Sequence, residues 1–535
     1  MINVSTAWAN ASRETLLPEM LVELTYQVTD PGIHEDAVVT GVNANNSSKV
    51  SDLLTAQRGN EAKYGTLGWN AWGLDGSFDY YDPSYQKDSF MSAHYSQFDS
   101  NEWASGAEPQ IIMSFPQIRD AVLPGLRITW STKYNEWATS FRVTVYRGNS
   151  VVAEKTVEGN TSVTSTVELP MSGYNKIVVT ILAWSVPHGL ARCLSLYLGS
   201  DAVFRKEDLL GYTHSQSSDL LSAVLPKNTI TFRLRNEKSQ WNPDNLEGQG
   251  QYLTDQQEIK VRYGMSLPTG MEWIDGGVFW LSEWDIPSNG LEASFTARDL
   301  LTFMSEPYTG PRSGNLYYIA EVALSQTYLP ILSTGAPPYD LDPVLKEYST
   351  DFEGEYSIAE ILQMVAHAGG CVMYQDRLGT LHIRSWKASY TGYIVDQAIS
   401  YNHPEYTISR PLKNVSVGYG GDLRVNLAHT VRGDVQTIDN EMVVTQADAR
   451  RVGEKAIEVL RNRKVISGEF RADMRLDALD SIIVTSKYAS NIIALTDLEY
   501  NTTGGSFRGR YTGRVVSVKL ESASYHVGEL YAGEV

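Results

Sequence analysis

One stretch of the sequence constrains the fold more than any other: KNTITFRLRNEKSQWNPDN, residues 227 to 245. Ile230, Phe232 and Leu234 alternate with Thr231, Arg233 and Arg235 before an Asn-rich turn containing Pro243 interrupts the run. Side chains on a strand point alternately to opposite faces, so this period-two pattern calls for a strand buried on one side only. The same alternation recurs in MLVELTYQVTD, through Val22, Leu24, Tyr26 and Val28, and again at Ile259, Val261 and Tyr263. In GVFWLSEWDI the spacing places Val278, Trp280, Trp284 and Ile286 on one face. A chain written in such strands builds its cores from sheets. Its 535 residues exceed what one core supports, so roughly three or four domains are expected.

Residues 1–42 carry the first strand, and the polar run NANNSSKVSDLLTAQRGNEA, 43 to 62, leads into a second module. From about 63 to 199, short strands with turn signals between them, such as TSFRVTVYRGNSVVAEKTVEG around Gly148-Asn149, predict a β-sandwich or jelly roll. Residues 228–305 resume the strand series and close in ARDLLTFM, which suggests a short helix. Residues 306–395 read as α+β. Ser357 and Glu360 have capping-box spacing, Ile358, Ile361, Leu362 and Val365 form an apolar stripe, and Gly369-Gly370 ends the helix. A hairpin turning at Arg377 to Gly379 follows. A further helix is predicted from about Thr445 to Arg463, capped by Thr445 and Asp448, within strand-rich surroundings. No repeat with a fixed period of about 20 to 50 residues is visible.

Composition narrows function mainly by exclusion. A net charge of −19 without a Lys/Arg-rich block argues against gripping nucleic-acid phosphates as the main task. Cys193 and Cys371 are too few and too far apart for a disulfide framework or a zinc site. No basic segment followed by an apolar run opens the chain, and no run of about 18 apolar residues occurs, so neither a signal peptide nor a membrane span is expected. HExxH, GxSxG, Walker, dinucleotide and EF-hand patterns are all missing, so no cofactor, metal site or catalytic centre is expected. His367 sits on an apolar helix with no second ligand near it in sequence and reads as structural. Asp473, Asp477 and Asp480 in RADMRLDALDSI form the kind of carboxylate cluster a glycosidase uses, but at strand and turn positions they read as a solvated loop. The main binding candidate is aromatic. YGTLGWNAWGLDGSFDYYDPSY sets Trp69, Trp72, Tyr80, Tyr81 and Tyr85 among Asp and Asn, as sugar-binding and partner-docking surfaces do, although such rings also fill sandwich cores.

The series ITFRLRNEKSQWNPDN, YLTDQQEIKVRYGM and WIDGGVFWLSEWDIPSNGLEASFTARDLL resembles the hub proteins of bacteriophage tail tips and baseplates, including tail proteins of phages and prophages of Gram-positive hosts. GEFRADMRLDALDSIIVTSKYASNIIALTDLEYNTTGGSFRGRYTGRVV adds to the likeness through Leu476, Leu479, Asp480 and Gly504-Gly505. KYGTLGWNAWGLDGSF and the sandwich after it look similar to a galactose-binding-like or carbohydrate-binding-like jelly roll of phage tail proteins.

The resemblance implies a mainly β, multidomain α+β chain of small tube-type β-barrels with an inserted sandwich. On that plan residues 1–42 begin the hub barrel, 43–205 are the insertion, and 206–305 continue the barrel. Residues 306–395 form an α+β domain, and 396–535 hold a second barrel and a strand-rich end. It also implies a homotrimer, two similar barrels per chain giving six around a channel, joined to a distal tail or tube protein, a tape measure protein and spike or receptor-binding proteins. Three copies carry three times −19, or −57, so DNA would pass the channel without specific binding. The implied location is the virion tail tip, after synthesis in the host cytoplasm, with host surface glycan a candidate partner and no enzymatic role. Three alternatives stand beside this reading: a receptor- or carbohydrate-binding tail protein, a six-fold distal tail protein, and an enzyme that degrades cell-wall polymer through Asp477 or Asp480.

Overall fold

The computed structural model describes residues 1–14, 18–29, 36–46, 63–64, 78–79, 90–119, 123–132, 134–245, 250, 253, 255–287, 290–327, 329, 332, 334, 336–388, 390–503 and 506–516. It is mostly strand with a few helices, and two sheet units of matching design organise it. The first has the spatial order Met20–Thr29, Glu258–Leu267, Gly270–Asp285, Glu292–Arg298, Lys227–Arg235 and Leu209–Ser217, every neighbouring pair antiparallel. In chain order these are the first, fourth, fifth, sixth, third and second strands of the unit. The second unit runs Tyr390–Val395, Ser481–Thr485, Ser490–Thr503, Ser506–Val515, Lys464–Arg471 and Glu405–Ile408. Its order is again first, fourth, fifth, sixth, third, second. It differs only in its first pair, which is parallel.

The opening stretch behaves as its pattern demands: Ile230, Phe232 and Leu234 are buried, and Thr231, Arg233 and Arg235 are exposed. Phe232 stacks on Phe295 across the ladder at 5.2 Å. One apolar core runs through both units, from Trp8 and Leu24 past Phe232 and Tyr263 to Ile466, Leu495 and Tyr511. Each such side chain contributes about 1.5–3 kcal/mol on burial, so separating the units would be costly. A bulge between Leu281 and Glu283 resets the alternation of Gly270–Asp285. Val278 and Trp280 pack into the helical core, while Phe279, Leu281 and, past the bulge, Ile286 pack into the sheet core. The expectation that Val278, Trp280, Trp284 and Ile286 share a face therefore fails, because one extra residue inverts the phase of a period-two pattern.

Neither unit closes as a barrel among the described residues. In the first, the outer strands Met20–Thr29 and Leu209–Ser217 do not pair with each other. The physical reason is that Leu209–Ser217 spends its outer edge on the second unit, pairing residues 212–217 with 502–497.

Between the first two strands of the first unit stands a two-sheet sandwich. One sheet has Ser150–Glu158, Ala138–Arg147, Tyr174–Trp184, Gln110–Arg119 and Val38–Val42 in order. The other joins Thr164–Met171, Leu123–Trp130, Arg192–Phe204, Phe90–Ser92 and Ala44–Asn46. Trp130 fills the space between them, edge-on to Phe141 at 5.2 Å and Trp184 at 6.0 Å. Arg192–Phe204 belongs to both bodies: its start pairs in the sandwich, and residues 199–204 pair with 29–24.

The α+β part packs three helices, Leu316–Gln326, Ile358–Gly369 and Gln446–Leu460, into one core with Trp280. The capping box of Ser357 and Glu360 is formed, and Gly370 ends the helix at φ +67°, a left-handed conformation that costs glycine little. Thr445 caps the third helix. The predicted closing helix in ARDLLTFM is a single 3-10 turn, Leu300–Phe303, capped by Asp299. No helix among the described residues is long and apolar enough to cross a membrane.

Candidate functional site

The two units meet at Leu209–Ser217, whose inward residues Tyr212, His214 and Gln216 are all buried. Polar side chains in such a place must be hydrogen-bonded or they destabilise the fold. The Tyr212 and Tyr263 hydroxyls lie 2.8 Å apart, and Tyr263 Oη is 2.7 Å from His214 Nδ1. His214 Nε2 lies 2.7 Å from Asn228 Oδ1. An amide oxygen only accepts, so the imidazole proton is assigned to Nε2, and Nδ1 accepts from Tyr263. Burial lowers the His214 pKa to about 4, a fall that the Asn228 contact opposes and the Arg377 charge assists. The ring is therefore neutral near pH 7.

Gln216 carries the network into the second unit. Its Nε2 donates to Asp477 Oδ1 at 3.2 Å, and its Oε1 accepts from Ala478 N at 2.7 Å. Arg377, from the hairpin that turns at Arg377 to Gly379, donates to the carbonyls of Asp275, Met474 and Leu476 at 2.8, 2.7 and 3.1 Å. Burial alone would lower its pKa, but Asp477 holds it above the ordinary arginine value. Tyr500 closes the set by donating to the carbonyls of Asp473 and Leu476 at 2.7 and 2.8 Å. Every group here is committed to another part of the protein, which makes the cluster a lock between three parts of the fold.

Beside the lock lies a cleft of about 770 Å³, with Lys227, Asp299, Trp273, Arg377, Trp386 and Asp480 on its walls. Asp299 accepts from Asn228 N and Leu301 N at 2.9 and 3.2 Å, yet burial raises its pKa to about 7.

The cluster Asp473, Asp477 and Asp480 is read differently once folded. Asp473 is buried and pairs with Arg475 at 2.6 Å, Asp477 pairs with Arg377, and Asp480 pairs with the Met1 amine while accepting from Asp477 N at 2.9 Å. These carboxylates belong to the scaffold, and the expectation of a solvated loop fails because each finds a cation in the fold. His367 lies on its helix with a pKa lowered by burial, and no group of ligands able to hold a metal occurs among the described residues. Trp69, Trp72, Tyr80, Tyr81 and Tyr85 lie outside the described residues.

Two similar units per chain are expected from the resemblance alone, since no repeat of fixed period shows in the residues, although short stretches carry one. The ladders align LSEWDI, 281–286, with LTDLEY, 495–500, and SFTAR, 294–298, with RYTGR, 510–514. Insertions of different length fall at different places in the two copies, so no fixed period survives.

No family model and no curated protein matches the chain. Among solved structures it is similar to a tail protein from Neisseria meningitidis MC58, 9% identical, with a TM-score of 0.41, covering 59% of this chain and 93% of that one. It is also similar to the 43 kDa tail protein of prophage MuSo2 from Shewanella oneidensis, 11% identical with a TM-score of 0.40, over 58% and 95% of the two chains. A third similar structure is the baseplate of phage P2 in its activated conformation, 9% identical with a TM-score of 0.28, over 61% and 92%.

Proposed function

We propose that this chain is a structural virion protein, the hub of a phage tail tip or baseplate, working through interfaces and without an active site. The observation that carries the reading is the duplication: two six-stranded units share one strand order and are joined edge to edge through Leu209–Ser217. A chain that presents two like units side by side suits a ring of three copies with six units around a channel. The acidic balance of −19 per chain fits a lumen past which DNA moves without sticking. Tube, tape measure and spike proteins are the proposed partners on the ring's two faces.

Electron microscopy of assembled particles or of the purified protein tests this. A three-fold ring with near six-fold repetition and an open channel is expected, and a stable monomer overturns it. A six-fold ring of separate chains would instead favour a distal tail protein. The inserted sandwich is proposed to carry Trp69, Trp72, Tyr80, Tyr81 and Tyr85 toward host glycan or a partner protein.

A further inference from the structure

We infer that the free edge of Glu405–Ile408 in one copy adds to the free edge of residues 282–286 in the next, repeating between chains the junction that Leu209–Ser217 makes with Ser490–Thr503 within one. The inference deepens the ring reading above and rests on it for the identity of the partner, a second copy of this chain.

The argument is the match between the two units in backbone detail. Leu281 exchanges main-chain hydrogen bonds with Gln256 and Gln257 at 2.7 and 2.8 Å, and Leu495 does the same with Leu479 and Asp480 at 2.7 and 2.9 Å. Gln256 and Leu479 share a rare positive φ, 63° and 75°. A bulge follows both leucines, and the next hydroxyl, of Ser282 or Thr496, donates to the carbonyl of Thr296 or Thr512 at 3.1 or 3.2 Å. Past Leu495 the strand edge is taken by residues 217–212. Past Leu281 no strand among the described residues takes the corresponding edge, and Glu283, Trp284 and Asp285 are exposed.

Glu405–Ile408 is the counterpart of residues 213–216, since both are followed in their sheets by the third strand in the same register: Thr213 opposes Thr231 and Glu405 opposes Ser467. Among the described residues only one edge of Glu405–Ile408 is paired. Ser409 N donates to Arg463 O at 3.0 Å, so residues 405, 407 and 409 turn their main-chain groups inward, leaving those of Tyr406 and Ile408 facing out. Within the chain, His214 opposes Tyr500 and Gln216 opposes Leu498. Carried over, that register sets Tyr406 against Ile286 and Ile408 against Trp284. Tyr406, Ile408 and Trp284 are 42%, 61% and 40% exposed, so two apolar edges would cover each other on one face. Unpaired apolar edges are an aggregation hazard, and a ring that pairs them removes it.

Paired cysteines test the register. Thr407 and Asp285 fall at a non-hydrogen-bonded pair, where Cα atoms lie about 4.5 Å apart, within disulfide reach. The full-length T407C/D285C variant should form interchain disulfides up to a three-chain product on mild oxidation, the native Cys193 and Cys371 being buried. T407C/E283C, two residues out of register, should not. As a second arm, Ile408→Pro removes only an outward N–H, which an edge strand tolerates. Native mass spectrometry should show loss of the oligomer with circular dichroism unchanged. A three-fold ring that forms without the disulfide and survives Ile408→Pro overturns this inference and leaves the ring reading standing. Equal cross-linking by both cysteine pairs overturns the register, and a monomer with no cross-link overturns both.

Discussion

Arg377 clasps both carboxylate oxygens of Asp477, its Nε lying 2.9 and 3.0 Å from them, although 100 residues separate the two in sequence. The guanidinium is buried and the carboxylate 29% exposed, so the pair is only partly screened by water. It ties the α+β hairpin to the second unit at the place where Gln216 arrives from the first.

Removing one partner strands the other, and a buried arginine left unpaired costs on the order of 3 kcal/mol. Asp477→Asn should lower the free energy of unfolding in urea by that order, and Arg377→Met by less, because the carboxylate it strands is 29% exposed. The double variant should recover part of the loss, since two uncharged groups need no pairing. Equilibrium unfolding of the four proteins checks this, and additive single effects would mean that the pair is not coupled.

His214 makes the junction sensitive to acid. Its folded pKa, about 4, lies below the ordinary 6.5, so the unfolded chain takes up the proton first as pH falls. The stabilisation is complete above about pH 6.5 and is lost progressively toward pH 4, at about 1.4 kcal/mol per pH unit or roughly 3 kcal/mol in all. His214→Gln should flatten the difference in stability between pH 7 and pH 4 by that order, as measured by denaturant unfolding of both proteins across the range.

The sandwich is attached where Thr29 opposes Gly199 at the end of an antiparallel ladder. Replacing residues 30–198 with a two-residue Asn-Gly turn should convert that ladder end into a hairpin. The two units keep their core, because the sandwich core is a separate cluster. The shortened protein should unfold cooperatively and assemble as the full chain does. An insoluble product would show that the sandwich is needed for folding.

Trp72→Ala and Tyr81→Ala address the aromatic cluster. If these rings contact sugar, glycan-array binding by the full chain should fall at least about tenfold with unchanged thermal stability, as loss of a stacking face predicts. A drop in melting temperature without change in binding would assign the rings to packing.

The sequence by itself determined the local structure. Period-two alternation fixed which face of Lys227–Arg235 is buried, and the Ser357–Glu360 spacing fixed a helix start, because both depend on neighbours a few residues away. Tertiary structure decided the rest. Nothing near Asp477 announces Arg377, and nothing near Leu209–Ser217 announces that its second edge pairs with Ser490–Thr503. A strand carries hydrogen-bonding groups on two edges but shows its partner in neither, so the joining of the two units is a property of the folded chain. The bulge after Leu281 makes the same point on a smaller scale, since one extra residue, invisible to periodicity, turned Ile286 to the opposite face from Trp280.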